Sequence, residues 1–296
     1  MKRLSIIIVT YNSEKDIFDC LEAVFRHNDL GEGLEVIVVD NASAGFEAMR
    51  NEIEGVYGEK IVVVSNSKNG GYGQGNNVGI RLSSSDKFLI MNPDVRIVMP
   101  MFAKIADTLD DEDIILCGFT SMENENQRNN SFYYTRTTSA FRKVFLRKKL
   151  QTDDFQYKRM FFSGACFAMR KDVFEKIGMF DENIFLYGEE NDIHFRLRKM
   201  FPGKKMVFLK DLRYIHPTAN ERDKDKEYRH SMKSAAYFYK KNRMPMKSLY
   251  RNEMNQVIFK ALALCIGHPS RVREAIERFR IQKKQVRETF NEIKGC

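Results

Sequence analysis

The chain has 296 residues, a net charge of +9 and five cysteines (Cys20, Cys117, Cys166, Cys265, Cys296), none in a Cys-x-x-Cys pair. That length holds a full hydrophobic core, either in one large domain or in a domain with an appendage. A scattered, odd set of cysteines excludes a disulfide framework and a zinc knuckle and points to a reducing compartment.

The apolar stretch Leu4–Val9 is too short for the core of a secretion signal, and no window approaches the ~20 apolar residues of a membrane span. A cytoplasmic protein is expected. The positive charge is uneven: residues 221–296 hold 19 Lys+Arg against 9 Asp+Glu. Such a segment suits an anionic lipid surface, nucleic acid or an acidic protein, or it is simply a solvated helical face.

In chain order, Leu4–Val9 predicts a first strand. Ser13 to Arg26 carries Ile17, Leu21, Val24 and Phe25 at helical spacing, with Ser13 as N-cap. Leu34–Val39 is a second strand, Phe46–Ile53 a helix, Ile61–Val64 a third strand. A glycine-rich segment leads into a short helix ending near Gly79–Ser83, and Phe88–Met91 is the fourth strand. Continuous apolar strands separated by helices imply a parallel sheet covered on both faces. From Ile114 to Leu150 the pattern is irregular and reads as a loop-rich region. Order resumes with a strand over Phe161–Met169, helices over Lys171–Ile177 and Asp192–Met200, and a strand over Met206–Leu209. Beyond Glu221 the chain is helical, with breaks at Pro245 and Gly267-His268-Pro269. The domain expectation is 1–220, in halves 1–113 and 114–220, followed by a basic helical extension 221–296.

Three strand ends finish in polar residues: Thr10-Tyr11-Asn12, Asp40-Asn41 and Asn92-Pro93-Asp94. Open α/β sheets bind ligands at that edge, so three such ends describe a nucleotide pocket. Pro93 stiffens the mount of Asp94, and a presented acid of this kind suits a divalent cation bridging a phosphorylated ligand. Asn-Pro-Asp is also an ordinary turn. Asp40 suits a base imide or a ribose hydroxyl, or else caps its own turn.

The run Asn69-Gly70-Gly71-Tyr72-Gly73-Gln74-Gly75-Asn76-Asn77-Val78-Gly79 allows close approach to a ligand, with N–H groups at a helix start favouring anions. It fits neither the dinucleotide fingerprint nor Walker A, which makes a nicotinamide-dependent oxidoreductase a poor reading. Glu189, Glu190 and Asp192 crowd a helix N-terminus, where the helix dipole favours acids. Arg196, four residues after Asp192, makes Asp192 structural, which leaves Glu190 as the candidate general base and Glu189 and Asp192 as its substitutes.

In this order and spacing, over residues 4 to 217, the motifs resemble glycosyltransferase family 2 enzymes of GT-A fold, and among them the rhamnosyltransferase-like members that build bacterial surface polysaccharides. The motifs are Val9–Glu14, Val38–Ser43, the Asn69–Gly79 loop, Met91–Val95, Ser163–Arg170 and Tyr187–Asp192 with Arg196. The resemblance implies a Rossmann-like, mostly parallel nucleotide-binding sheet with a helical C-terminal extension. It implies inverting transfer of a sugar, rhamnose favoured, from a dTDP or UDP donor to a hydroxyl of a glycan or polyprenyl-linked acceptor. Asp94 matches the last acid of the family's D-x-D, with Asn92 in place of the first, and His216 falls where relatives add a metal ligand. The implied cofactor is Mg²⁺ or Mn²⁺.

Donor contacts fall on Thr10, Tyr11, Asn12, Asp40, Asn41, Asn69, Gly70, Gly73, Asn76, Asn92 and Asp94. Ser163 and Gly164 border the acceptor, and Glu190 matches the base position, with Glu in place of the usual Asp. The rival reading is a nucleotide-sugar or membrane-binding module with impaired catalysis. Residues 247–266 suggest a basic amphipathic helix lying on the inner face of the membrane, or else packed on the catalytic domain or in a homodimer, and no nucleic-acid partner is expected.

Overall fold

The structure, a computed structural model, describes residues 1–218, 223–267 and 269–295. The expected 220/221 boundary, His268 of the second helix break and Cys296 lie outside the described residues. In chain order the elements begin with β1 (Leu4–Thr10), α1 (Ile17–Arg26), β2 (Leu34–Asp40), α2 (Phe46–Tyr57), β3 (Ile61–Ser65), α3 (Tyr72–Leu82) and β4 (Lys87–Met91). They continue with β5 (Arg96–Ile97), α4 (Phe102–Asp110), β6 (Ile114–Asn124), β7 (Gln127–Arg128), β8 (Phe132–Tyr134), α5 (Ala140–Phe145) and β9 (Met160–Phe162). The last are β10 (Cys166–Arg170), α6 (Lys171–Lys176), α7 (Glu189–Met200), β11 (Lys205–Ile215), α8 (Lys224–Lys241), α9 (Met246–Gly267) and α10 (Val272–Gly295).

The chain divides into two compact units: Met1–Tyr133 with Phe161–Asn220, and Tyr134–Met160 with Glu221–Cys296. The first holds a sheet of order β3-β2-β1-β4-β10-β6-β11-β5, with β7 paired to β6. β1 pairs in parallel with β2 and β4, and β6 in parallel with β11, while β10 runs antiparallel between β4 and β6. β1 and β4 are apolar almost throughout because both faces are covered, and Leu4, Ile6, Ile7, Ile8, Phe88, Leu89 and Ile90 are all fully buried.

Several elements differ from the sequence expectation. β6 is an eleven-residue, mostly buried strand where irregular chain was expected. Its Thr120 and Ser121 look like loop residues, yet Thr120 donates to the Lys210 carbonyl at 2.7 Å and Ser121 N–H donates to Ser131 Oγ at 3.0 Å. Partnered polar groups of this kind can be buried in a strand. The single strand expected over 161–169 is two, β9 and β10, separated by a turn at Ser163–Ala165. α1 is capped at Asp16 and not at Ser13, whose carbonyl accepts from the N–H groups of Asp16 and Ile17. β11 extends to Ile215, which lets it pair with β5.

In the second unit α5 packs on α9 through Phe141, Phe145 and Phe259, with ring centroids 5.0, 5.8 and 6.2 Å apart. Asn252 donates to the Thr138 carbonyl at 3.1 Å, and Arg136 donates to Ser231 Oγ at 2.8 Å. These contacts tie 134–160 to the C-terminal helices. α10 buries Ala275, Val286, Phe290 and Ile293 along one stripe, with Tyr250 of α9 edge-on to Phe290. The expected amphipathic pattern of 247–266 is not seen as a single face: Leu249 and Val257 are buried, whereas Leu262 and Ile266 are 48% and 76% exposed. Among the described residues, no helix is long and apolar enough to cross a membrane.

Candidate active site

The site is assembled at the carboxyl ends of β1, β2 and β4. Register places Thr10 opposite Asp40, and Thr10 Oγ1 donates to Asp40 Oδ1 at 3.0 Å. Ser43 donates to the same carboxylate twice, from its N–H at 2.7 Å and its hydroxyl at 2.6 Å. Asp40 is fully buried, so its visible partners are internal and it braces the corner. Beside it Tyr11 is exposed, and Asn12 sits at φ +51° with its N–H on Ser43 Oγ. Asn41 donates to the Gly71 carbonyl at 3.0 Å and accepts from Asn66, and Asn69 Oδ1 accepts from Gly71 N–H at 2.9 Å.

The glycine-rich run is mostly helix. α3 starts at Tyr72, with Gly71 before it at φ +88°, where a side chain would also collide with the Phe185 carbonyl. Gly73, Gly75 and Gly79 lie inside α3, where a Cβ would crowd Phe180, Val9 and Ile7 respectively. Their smallness seats the helix on β1 and its neighbours, a packing role in addition to the ligand approach expected from sequence. Gly70 lies against the Gln74 side chain, and Asn76 donates to the Tyr72 carbonyl while its buried Oδ1 has no partner.

The Asn92-Pro93-Asp94 corner and His216 meet because β5 pairs antiparallel with β11, with Tyr214 opposite Ile97 and Ile215 opposite Arg96. His216 Nε2 stands 3.4 Å from Asp94 Oδ2, and Asp94 Oδ1 is buried without a hydrogen bond to another residue. Burial opposes ionisation of Asp94, but the His216 contact, its own N–H and nearby Arg96 outweigh it and hold the carboxyl below its usual range. Among the described residues no cluster of three His, Cys, Asp or Glu side chains has metal-binding geometry. An unsatisfied carboxylate oxygen beside an imidazole nonetheless fits a cation whose remaining ligands come from a diphosphate and water.

The turn Ser163-Gly164-Ala165 joins the pieces. The Ala165 carbonyl accepts from Asn92 N–H at 2.9 Å, and the Gly164 carbonyl accepts from the Tyr72 hydroxyl at 2.6 Å. Gly164 itself lies against the Glu190 carboxylate, so that a Cβ there would overlap it. Burial, then the charges of Glu190 and Glu189, push the Tyr72 hydroxyl well above its ordinary pKa, so it remains a donor. Ser163 N–H donates to the Ser131 carbonyl at 3.0 Å.

Glu189, Glu190 and Asp192 form the first turn of α7, entered through Gly188 at φ +136°. Glu189 and Asp192 are 2% and 1% exposed, and Asp192 is held by Arg196 Nη2 at 2.7 Å. Glu190 is the half-buried one of the three, on the side of Gly164.

His194, unnoticed in the sequence, fixes this turn. Its Nε2 accepts from Phe162 N–H at 3.2 Å, which leaves the proton on Nδ1 to donate to the Glu190 carbonyl at 2.8 Å. Burial, with Arg198 nearby, lowers its pKa to about 3. A lone histidine in a charged helical segment gives no signal of this, and Tyr72 is equally hidden within a glycine run.

A sheet of this order, with an acidic corner after β4 and an acid-led helix beyond an antiparallel β10, is of the GT-A class. The chain belongs to glycosyl transferase family 2, whose profile matches residues 5–178. It is 28% identical over 201 residues to the low-salt glycan biosynthesis hexosyltransferase Agl10 of Haloferax volcanii, across 66% of this chain and 62% of that protein. Thus the match spans somewhat less than two thirds of that relative's length. It is 26% identical to the dTDP-rhamnosyl transferase RfbF of Shigella flexneri, across 71% of this chain and 67% of that one. In fold it is similar to the mannosyltransferase PcManGT of Pyrobaculum calidifontis, solved with GDP-Man and Mn²⁺, with a TM-score of 0.63 at 14% identity, covering 97% and 85% of the two chains.

Proposed function

We propose that this chain is an inverting glycosyltransferase that moves a sugar from a nucleoside-diphosphate donor to a hydroxyl of a glycan or lipid-linked acceptor in surface polysaccharide synthesis. The observation that carries the reading is the Ser163–Ala165 turn, which touches the Asp94 corner, the start of α3 and Glu190 at once. Rhamnose from a dTDP donor is the favoured substrate, supported by the likeness to the dTDP-rhamnosyl transferase. The donor's nucleoside would lie along Thr10–Asn12, Asp40–Asn41 and Asn69–Asn76, its diphosphate near Asn92 and Asp94.

Asp94 and His216 would hold a divalent cation, Mg²⁺ or Mn²⁺. When bound, such an ion supplies Lewis-acid neutralisation of the charge that builds on the departing diphosphate. Glu190 takes the proton of the attacking hydroxyl, whose oxygen bonds to the anomeric carbon. The bond from that carbon to the diphosphate breaks on the opposite face, which inverts the centre. Glu190 is favoured over its neighbours because Glu189 is enclosed and Asp192 is spent on Arg196. His194 keeps the Glu190 backbone fixed to β9, and neutral Tyr72 fixes the Gly164 carbonyl.

The test is release of nucleoside diphosphate from dTDP-rhamnose, UDP-sugars and GDP-mannose with Mn²⁺ or Mg²⁺. Slow hydrolysis of at least one donor, abolished in Glu190→Gln, is expected. Donor binding without release under every condition sinks the enzyme reading and favours a binding module.

A further inference from the structure

We propose that the helical unit is a docking module for an anionic lipid surface, with α10 as its contact helix. The inference stands on the charge and exposure of this unit and not on the sugar-transfer reading. Residues 134–160 and 221–296 together hold 27 Lys+Arg against 11 Asp+Glu, a net +16, whereas the rest of the chain holds 22 against 29, a net −7. The contrast widens when 134–160, with eight basic residues against two acidic, is grouped with the C-terminal helices. A surplus of that size in one compact unit raises a field that draws polyanions.

α10 shows how the surplus is presented. A stripe along it carries Ile276, Phe279, Arg280, Lys283, Lys284 and Arg287, with Glu288 and Asn291 beside them, at the three- and four-residue spacing of one helical face. The buried stripe of the same helix, Ala275 to Ile293, faces into the unit, so the basic one faces out. Aliphatic side chains accompany the cations: Ile276 and Ile281 on α10 are 46% and 61% exposed, and Leu262 and Ile266 stand exposed on α9.

That mixture selects the partner. Nucleic acid is met by cations at its phosphates and gains nothing from bare aliphatic side chains. A second copy of this unit would set one strong positive field against another. An anionic bilayer takes both, the cations at its headgroups and the aliphatics at the acyl boundary. Each Lys or Arg at such a surface contributes roughly fivefold in affinity, so four are expected to contribute several hundredfold.

The experiment floats the full chain with vesicles of phosphatidylcholine alone, or with about 30% phosphatidylglycerol, at roughly 50 and 500 mM NaCl, where screening differs strongly. The expected result is binding only to the anionic vesicles, weakened by salt. It should fall at least a hundredfold in the Arg280→Glu/Lys283→Glu/Lys284→Glu/Arg287→Glu variant and several-fold in Ile276→Ser/Ile281→Ser, with both variants melting as the parent does. Should the quadruple variant fail to fold, Lys283→Gln/Lys284→Gln takes its place, with a loss of at least tenfold expected. Absence of binding to anionic vesicles at low salt overturns the proposal, as does binding that these variants leave intact. Tighter binding to RNA than to the vesicles, or a dimer in solution that loses its vesicle affinity, also overturns it.

Discussion

The two units solve opposite problems with charge. In the sheet unit, polar groups are gathered inside and consumed: Asp40 by Thr10 and Ser43, Asp192 by Arg196, His194 by two backbone groups. In the helical unit the charge is spread outward along helix faces, and burial is left to aromatic and aliphatic contacts such as Phe141 on Phe259 and Tyr250 on Phe290. Removal of one polar group from the first unit should disturb geometry and turnover. Removal of an exposed cation from α10 should alter only what the second unit adheres to, because exposed ion pairs contribute little to stability.

The sharpest way to break that contrast is Glu190→Gln, expected to lower nucleoside-diphosphate release by about 10²–10⁴-fold at an unchanged melting temperature. The quadruple charge reversal on α10 should leave the same rate untouched, and comparable rate losses in the two variants would erase the distinction. Asp94→Asn and His216→Ala come next. Each should raise the Mn²⁺ concentration needed for half-maximal donor hydrolysis by at least about tenfold, read by titrating Mn²⁺. A Mn²⁺ titration identical to the parent's would remove these two side chains from the cation site.

Gly164→Ala places a methyl group against the Glu190 carboxylate and should destabilise by about 1–3 kcal/mol, with a further loss of turnover from the displaced base. Thermal melts and donor hydrolysis measure the two parts. Last is an acid sensitivity of the sheet unit. His194 has its pKa lowered to about 3 by burial, while the unfolded chain takes up its proton near the ordinary value. Its contribution to stability is therefore whole above about pH 6.5 and declines as pH falls towards 3, by about 1.4 kcal/mol per unit within that window. In His194→Gln the slope of denaturation midpoint against pH over that range should flatten, and an unchanged slope would show that another group carries it.

Much of the sheet was readable because β1, β2 and β4 are buried on both faces and must be apolar throughout, whereas β6 was not, since its polar side chains find partners only in the folded sheet. Asp94, Glu190 and His216 could be named from motif order, yet their mutual placement depends on the β5/β11 pairing and on the turn at Gly164, which no local pattern encodes. Gly73 and Gly75 read as a loop because glycine disfavours helix, but packing of α3 against β1 and Phe180 overrides that preference. His194 and Tyr72 each act through a backbone group far away in sequence, Phe162 N–H and the Gly164 carbonyl, so composition and spacing leave no trace of them.

The interleaving of the two units bears on synthesis. Phe141 and Phe145 leave the ribosome with the middle of the chain, but Phe259, on which they pack, follows more than a hundred residues later. At ~5–20 residues per second that gap is roughly 5–20 s, in which Phe141 and Phe145 lack the helix they pack on. Nascent chains stalled before α9 should therefore recruit holdase chaperones through these residues, and chains released after α10 should not.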